Sequence, residues 1–238
     1  MIRSVFLATE VTVSVLMAVV DFIPVVFFMF AMGAVIRIAY QRIGTVSFAV
    51  LTGGVFLGFF AGLAKCTWKL LYAFGTDFVP LNTSFAVYQT VGFGMIAYGC
   101  VVLATNELRR GKALPKASVV KSLACALPLF LLFFADVVVI EKAGFLWYIA
   151  MALFTCTYLI ALSLLAFKVK RLCGLWYYAS MVTMFLMVGL KSQFEEGGSF
   201  ETMNWIAQVT NVVTQCLVIL PTHLLSHNYP LKRIQVLN

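Results

Sequence analysis

The sequence predicts an all-α, polytopic membrane protein of seven transmembrane helices, with the N-terminus outside and the C-terminus in the cytoplasm. Composition is the first reason: of 238 residues, 63% are apolar and only 11% are charged. Soluble domains carry about 25% charged and about 45–50% apolar residues, and a soluble core of this size cannot bury so many apolar side chains. Recurrent long apolar segments and basic residues in alternate linkers are the other two reasons.

Seven segments reach the length of about 20 apolar residues that a helical crossing needs. The linkers between them are short, so we expect residues 1–238 to form a single seven-helix domain with no separate soluble domain. Glu10 interrupts the first apolar stretch, which we therefore interpret as a mature helix and not as a cleaved signal peptide. The predicted spans are Val11–Ile38, Thr45–Ala73, Ser84–Thr105, Val119–Ile140, Phe145–Phe167, Leu175–Lys191 and Met203–Leu225.

Charge in the linkers predicts the orientation. Most of the 17 basic residues fall in the linkers after spans one, three and five and in the C-terminal tail. By the positive-inside rule these linkers face the cytoplasm, and we expect a multi-pass protein of the plasma membrane. The opposite linkers carry most of the acidic residues, namely Asp77, Glu141, Glu195, Glu196 and Glu201.

The net charge of +8 indicates contact with anionic lipid in a membrane protein of this composition. No basic stripe with interleaved aromatic residues lies outside the spans, so we do not expect a nucleic-acid partner. The most basic linker follows span three and is a candidate docking site for a cytoplasmic protein. Its predicted contact residues are Arg109, Arg110, Lys112 and Lys116.

No motif predicts catalysis, a metal or a cofactor. The six cysteines show no CxxC spacing, and His223 and His227 have no third ligand beside them in the sequence. The chain also lacks the phosphate-binding, zinc-protease and serine-hydrolase signatures. We therefore expect no enzymatic activity, no metal and no cofactor.

Span one carries a carboxylate near the middle of the membrane, beside a predicted helix break. Asp21 lies about 15 Å below the outer surface by residue count, where a charge costs about 2.5–3.5 kcal/mol on insertion scales. Pro24 removes the donor for a backbone carbonyl one turn earlier, near Asp21. We expect Asp21 to line a cavity or to be hydrogen-bonded within the core. The residues on its helix face are Glu10, Ser14, Met17, Asp21 and Pro24.

Two lysines and a second acidic residue on other spans are also ionisable residues within the membrane. Lys65 lies about 12 Å below the outer surface, beyond what its stem can span. It needs an anion, which we expect to be Asp21, Asp136 or a ligand. Lys69 and Asp136 lie at about 6 Å, and Lys69 can reach the headgroups.

Glycines on spans two and three predict close helix packing. Gly54, Gly58 and Gly62 repeat at intervals of four residues on span two, a pattern that lets a neighbouring helix approach closely. Gly92 and Gly99 share a face of span three, where they indicate either close packing or empty volume.

Span seven carries a stripe of amides from the outer rim to about the midplane. Amides that face lipid lose hydrogen bonds, so the stripe should face inward, to bond another helix or to line a site. Its members are Asn204, Gln208, Asn211 and Gln215.

Polar residues thus gather in the outer half of the predicted bundle, while the inner half is nearly featureless apart from His223. This asymmetry predicts a ligand site near the outer face. Its mixture of basic, acidic and amide groups suits an anionic or zwitterionic small molecule. The predicted ligand-binding residues are Asp21, Lys65, Lys69, Asp136, Gln208, Asn211 and Gln215.

Three functions remain open at this point. The first is binding or transport of a small polar solute, with Asp21 and Lys65 as the central charge pair. The second is a ligand sensor or accessory subunit that docks a cytoplasmic partner through its basic inner linkers. The third is a structural subunit in which the polar residues only join helices.

Overall fold

Helices make up almost all of the described chain. The computed structural model describes residues 14–109, 144–169, 171–194 and 200–228, and no strand occurs among them. The helices are α1 (Val15–Val20), α2 (Phe22–Ala39), α3 (Thr45–Ala73), α4 (Val79–Leu108), α5 (Gly144–Val169), α6 (Arg171–Phe194) and α7 (Phe200–Asn228).

The lengths and apolar character of these helices indicate an integral membrane protein. Five stretches within the described residues are long and apolar enough to cross a bilayer. A sixth helix has a shorter apolar stretch, Leu172–Leu186. The predicted fourth span, Val119–Ile140, lies outside the described residues. The five long stretches are Val15–Ala39, Thr45–Ala73, Val79–Leu108, Trp147–Val169 and Trp205–Asn228.

The first span is interrupted where predicted. Ser14 caps α1, because its hydroxyl accepts a hydrogen bond from the amide of Met17 at 3.2 Å. Helix α1 therefore starts at Val15, and the predicted start of the span, Val11, lies outside the described residues. The predicted break is an interruption of one residue, Asp21, which separates α1 from α2, keeps helical backbone angles (φ −60°, ψ −22°) and donates its N–H to the Met17 carbonyl at 3.1 Å. Pro24 lacks the N–H that would bond one turn back, which explains the break.

Three later spans are longer than predicted, since residues expected in linkers lie within helices. Pro80 occupies the first turn of α4, where a missing N–H costs nothing. Gly174 lies inside α6 and does not end a helix, and a Cβ at this position would lie 2.6 Å from the ring of Phe167. The last helix, α7, contains Pro221 and continues past the predicted end of its span to Asn228.

The described helices from α2 to α7 form a closed ring. Each packs against the next in sequence, and α7 returns to pack against α2. The most extensive contact joins α3 to α4, where a Cβ on Gly54 would lie 2.7 Å from the Gly92 carbonyl oxygen. The predicted packing role is therefore confirmed for Gly54 and Gly92.

The two ends of the bundle are distinguished by its turns. We define the upper end by the α3–α4 turn, Phe74–Phe78, and the lower end by the α2–α3 turn, Tyr40–Gly44.

Helices α4 and α5 run parallel. Near their starts, the Thr90 hydroxyl donates to the carbonyl of Trp147 at 3.1 Å. Near their ends, the Lys168 ammonium donates to the carbonyl of Glu107 at 2.6 Å.

The lower end contains a buried ion pair, so the expectation of a nearly featureless inner half is wrong. Arg42, in the α2–α3 turn, lies 3.1 Å from the Glu107 carboxylate on α4, and both side chains are only 6% exposed. The amide of Asn106 also donates to the carbonyl of Arg42 at 3.0 Å. These bonds fasten the α2–α3 turn to the end of α4.

Candidate functional site

A cavity of about 250 Å³ lies in the upper half of the bundle, among α1–α2, α3, α4 and α7. Liquid water takes up about 30 Å³ per molecule, so the cavity has room for a small organic solute. Its lining residues are Asp21, Pro24, Val25, Phe28, Gly58, Gly62, Lys65, Cys66, Lys69, Phe85, Gln89, Phe93, Gln208, Asn211 and Gln215.

Asp21 forms an ion pair with Lys69, whereas the sequence led us to expect Lys65 as its partner. The Lys69 ammonium contacts the Asp21 carboxylate, and the two side chains are 16% and 6% exposed. Gln208 on α7 interacts with the same carboxylate. Helices α3 and α7 thus both meet the break between α1 and α2.

The backbone at this break is also bonded across the cavity wall. The thiol of Cys66 donates to the carbonyl oxygen of Asp21 at 3.2 Å. This carbonyl, at the N-cap of α2, also accepts the first hydrogen bond within that helix, so the thiol adds a second one. The contact links the segment around Asp21 to α3.

Lys65 is held by an amide and by aromatic rings. Its ammonium donates to the side-chain oxygen of Asn82 on α4. It also lies 4.4 Å from the centre of the Trp68 ring and 5.6 Å from that of Phe85, within the range of cation–π attraction. The expected partner was an anion, and the contacts of this ammonium include the Asn82 amide oxygen and the two rings.

Three of the four predicted amides of α7 face inward, and the side chain of Asn204 lies outside what the structure describes. Gln208 is buried, and Asn211 and Gln215 are half-buried and line the cavity. The adjacent Thr214 hydroxyl lies 2.8 Å from that of Thr183 on α6. One side of α7 therefore faces the cavity, and the adjacent side forms a hydrogen bond to α6.

Gln89 is a cavity residue that the sequence analysis missed. Its side-chain oxygen is buried and has no hydrogen-bond partner among the described residues. Phe85, Gln89 and Phe93 lie four residues apart on α4, so they share a face, and all three line the cavity. This four-residue spacing, on the same helix as Asn82, is the sequence signal that could have identified Gln89.

Aromatic rings form the lower part of the cavity wall. The ring centres of Phe28 and Phe93 lie 5.7 Å apart. A Cβ added to Gly58 would touch both rings at 3.4 Å, so the absence of a side chain there keeps this space open. Beneath the two rings the buried apolar core continues toward the lower end.

Six of the seven predicted ligand-binding residues line this one cavity, and Asp136 lies outside the described residues. The predicted set did not include Cys66, Gln89 or the aromatic residues. Chemically, the cavity presents two ammonium groups, one carboxylate and four amides above a floor of aromatic rings.

Comparison with known proteins assigns neither a family nor a function to the chain. The chain matches no protein-family model, no curated protein and no solved structure. Its function has to be argued from the cavity and the chemistry of its walls.

Proposed function

We propose that this protein binds a small anionic or zwitterionic solute in the upper cavity and transports it across the membrane. The observation that carries the proposal is the cavity of about 250 Å³, which has two lysines, an aspartate and four amides in its wall. Polar groups buried among membrane helices are costly and usually serve a substrate pathway. A solute recovers part of that cost by bonding to them.

The charges in the wall favour an anionic group on the solute. Lys65 and Lys69 bring two positive charges to the cavity, whereas Asp21 brings one negative charge. Because Asp21 is already in contact with Lys69, a bare cation would meet a site of the wrong sign. An anion or a zwitterion gains attraction in this low-dielectric setting.

The helix break supports transport over static binding. Transporter sites often lie where a membrane helix is interrupted, because the freed backbone and the helix ends line the substrate pathway. Here the break at Asp21 is part of the cavity wall. A small change of angle between α1 and α2 would alter the distance from Asp21 to Lys69 and Gln208.

The proposal includes seven crossings with the upper end outside. The parallel course of α4 and α5 supports an additional crossing between them, where the sequence predicts the span Val119–Ile140. Arg37, Arg42, Arg109 and Lys168 lie toward the lower end, which supports a cytoplasmic position for that end by the positive-inside rule.

Uptake into proteoliposomes tests the proposed transport. We would measure uptake of labelled acetate, succinate, glycine, taurine and 4-aminobutanoate by the wild-type chain, Asp21→Asn and Lys168→Met. Lys168 is an exposed lysine at the lower end and serves as the matched control. We expect uptake of at least one compound by wild type and Lys168→Met and none by Asp21→Asn.

The other outcomes separate the alternatives. Saturable binding without uptake would overturn transport and favour the sensor. Absence of both binding and uptake across the panel would overturn the proposal and favour an accessory or structural subunit.

A labelling experiment tests the orientation. Thr76→Cys at the upper turn and Asn228→Cys at the lower end of α7 both introduce a thiol at an exposed position. In intact cells a membrane-impermeant maleimide should label Thr76→Cys above the wild-type background and leave Asn228→Cys at that background. The reverse pattern would contradict the proposed orientation.

A further inference from the structure

We infer that His223 and His227, at the lower end of α7, form a site for a divalent transition-metal ion, with Cu²⁺ bound more tightly than Zn²⁺. The site is separate from the solute cavity, whose lining includes neither histidine. The inference therefore goes beyond the proposed function and does not depend on it.

The close approach of two ring nitrogens carries the inference. The Nε2 atoms of His223 and His227 lie 3.1 Å apart, whereas the ring centres are 4.6 Å apart. The Nε2 corners of the two rings are therefore turned toward each other. A metal ion that bonds two imidazole nitrogens at about 2.0–2.1 Å, with an angle of about 90–110° at the metal, holds those nitrogens about 2.8–3.4 Å apart. The observed separation falls within this range.

In the metal-free protein, a hydrogen bond between the two rings accounts for the same separation, with one Nε2 donating to the other. The donating ring can carry its proton at Nδ1 instead, which makes the lone pairs of both Nε2 atoms available to a metal ion. Both side chains are exposed, so the rings can turn as they bind the ion. The pair thus needs only a change of tautomer and a small rotation to chelate.

The helix holds the two histidines in place. They lie four residues apart and share a face of α7. Their neighbours Thr222 and Ser226 are buried on another side of the helix, where the Thr222 hydroxyl lies 2.8 Å from that of Tyr177 on α6. This packing fixes the rotation of α7 and keeps both histidines facing outward. A site assembled before the ion arrives loses less free energy to ordering.

The position of the pair gives ions and water access to it. Helix α7 has 29 residues, or about 43 Å, which exceeds the hydrocarbon thickness of about 30 Å. His227 is the last residue but one of this helix, and His223 lies about 6 Å further in. The headgroup layer on each side of a bilayer is about 5–7 Å deep, so the end of α7 can place both rings within it.

The ligand type selects the metal. Imidazole nitrogens suit copper, zinc and nickel, whereas Mg²⁺ and Ca²⁺ prefer oxygen. Among these ions Cu²⁺ forms the most stable complexes with a given set of nitrogen ligands. In the described part of the chain no cluster of three potential ligands occurs, so we assign the other coordination positions to water. The sequence led us to expect no metal because a third ligand is missing, but two nitrogens held at this distance can chelate an ion.

Titration with metal salts alone tests the site. The full chain, prepared without added histidines in a non-ionic detergent, would be titrated with Cu²⁺, Zn²⁺ or Mg²⁺ at neutral pH by calorimetry. We expect one Cu²⁺ bound per chain, weaker binding of Zn²⁺ and none of Mg²⁺. His223→Gln and His227→Gln should each weaken Cu²⁺ binding at least about tenfold, because losing even an outer-shell partner of a metal typically costs that much. Both positions are exposed, so the metal-free variants should unfold near the wild-type temperature.

A variant with shifted spacing is the matched control. The double variant His227→Gln with Asn228→His keeps two histidines in the last turns of α7 but places them five residues apart, where they no longer share a face. It should bind Cu²⁺ as weakly as His227→Gln does. Wild-type affinity in this variant or in both single variants would overturn the assigned site, as would Mg²⁺ binding as tight as that of Cu²⁺. If wild type binds neither Cu²⁺ nor Zn²⁺, the inference fails and the proposed solute transport is unaffected.

Discussion

The upper and lower ends of the bundle each contain a buried ion pair, but only the upper pair lines the cavity. Asp21 and Lys69 form part of the cavity wall. Arg42 and Glu107 are absent from the lining and are enclosed where the α2–α3 turn meets α4. The two pairs use the same kind of charges on adjoining helices, so their surroundings make the difference.

This difference teaches that a charge within an apolar bundle has two distinct uses. At the lower end, the ion pair fastens the α2–α3 turn to α4, which is a structural role. At the upper end, the ion pair and the inward amides of α7 are arranged around open space, which costs packing energy. A protein keeps such a space when something binds in it.

The largest effect should come from Glu107→Leu at the lower end. It leaves the Arg42 guanidinium buried without its carboxylate, a change that costs about 3–5 kcal/mol of unfolding free energy. Thermal unfolding in detergent would measure the loss. The double variant Arg42→Met with Glu107→Leu should recover most of the lost stability. An unchanged stability for Glu107→Leu would contradict the comparison of the two ends.

Lys69→Met at the upper end should be less destabilising, by about 1–3 kcal/mol. Water in the cavity can solvate the Asp21 carboxylate that this variant leaves unpaired. The same unfolding measurement applies, together with binding of the transport panel, which we expect to be lost. A stability loss equal to that of Glu107→Leu would show that the upper pair is as enclosed as the lower one.

Two glycines of α3 sharpen the contrast between packed and open regions. Gly54→Ala places a Cβ 2.6 Å from that of Met95 on α4 and should destabilise by about 1–3 kcal/mol. Gly58→Ala meets only ordinary contacts at 3.4 Å, so we expect stability near wild type and weaker solute binding. Unfolding and binding would be measured on both variants. A larger loss of stability for Gly58→Ala than for Gly54→Ala would contradict this contrast.

The smallest effect should come from Thr214→Val, next to the amide stripe on α7. Its hydroxyl bonds to Thr183, and hydrogen bonds between membrane helices average about 0.6 kcal/mol. We expect a small loss of unfolding free energy and unchanged binding of the transport panel. A large loss of binding would extend the site toward α6.

Features that depend on one helix at a time were predictable from the sequence. The break at Asp21 follows from Pro24 on the same helix, and the inward face of Gln208 and Asn211 follows from helical spacing. The glycines of α3 likewise predicted close contact with a neighbouring helix, because their spacing is a property of that helix alone.

Pairings between helices could not be predicted, since residue counting gives depths only relative to each helix's own ends. Asp21 and Lys69 were placed about 9 Å apart in depth by this count, yet the lysine stem and the late start of α1 bring them together. The Arg42–Glu107 pair could not be predicted for a related reason. Glu107 stood among the basic residues of a linker, and nothing local shows that the α2–α3 turn folds against it.

Binding to one cavity variant and its matched control tests the central claim most directly. Each compound of the transport panel would be titrated into wild type, Lys65→Met and Lys168→Met in nanodiscs. The account predicts that at least one anion or zwitterion binds wild type and Lys168→Met and binds Lys65→Met at least about tenfold more weakly. Equal affinity for all three chains, or no binding to any, would contradict it.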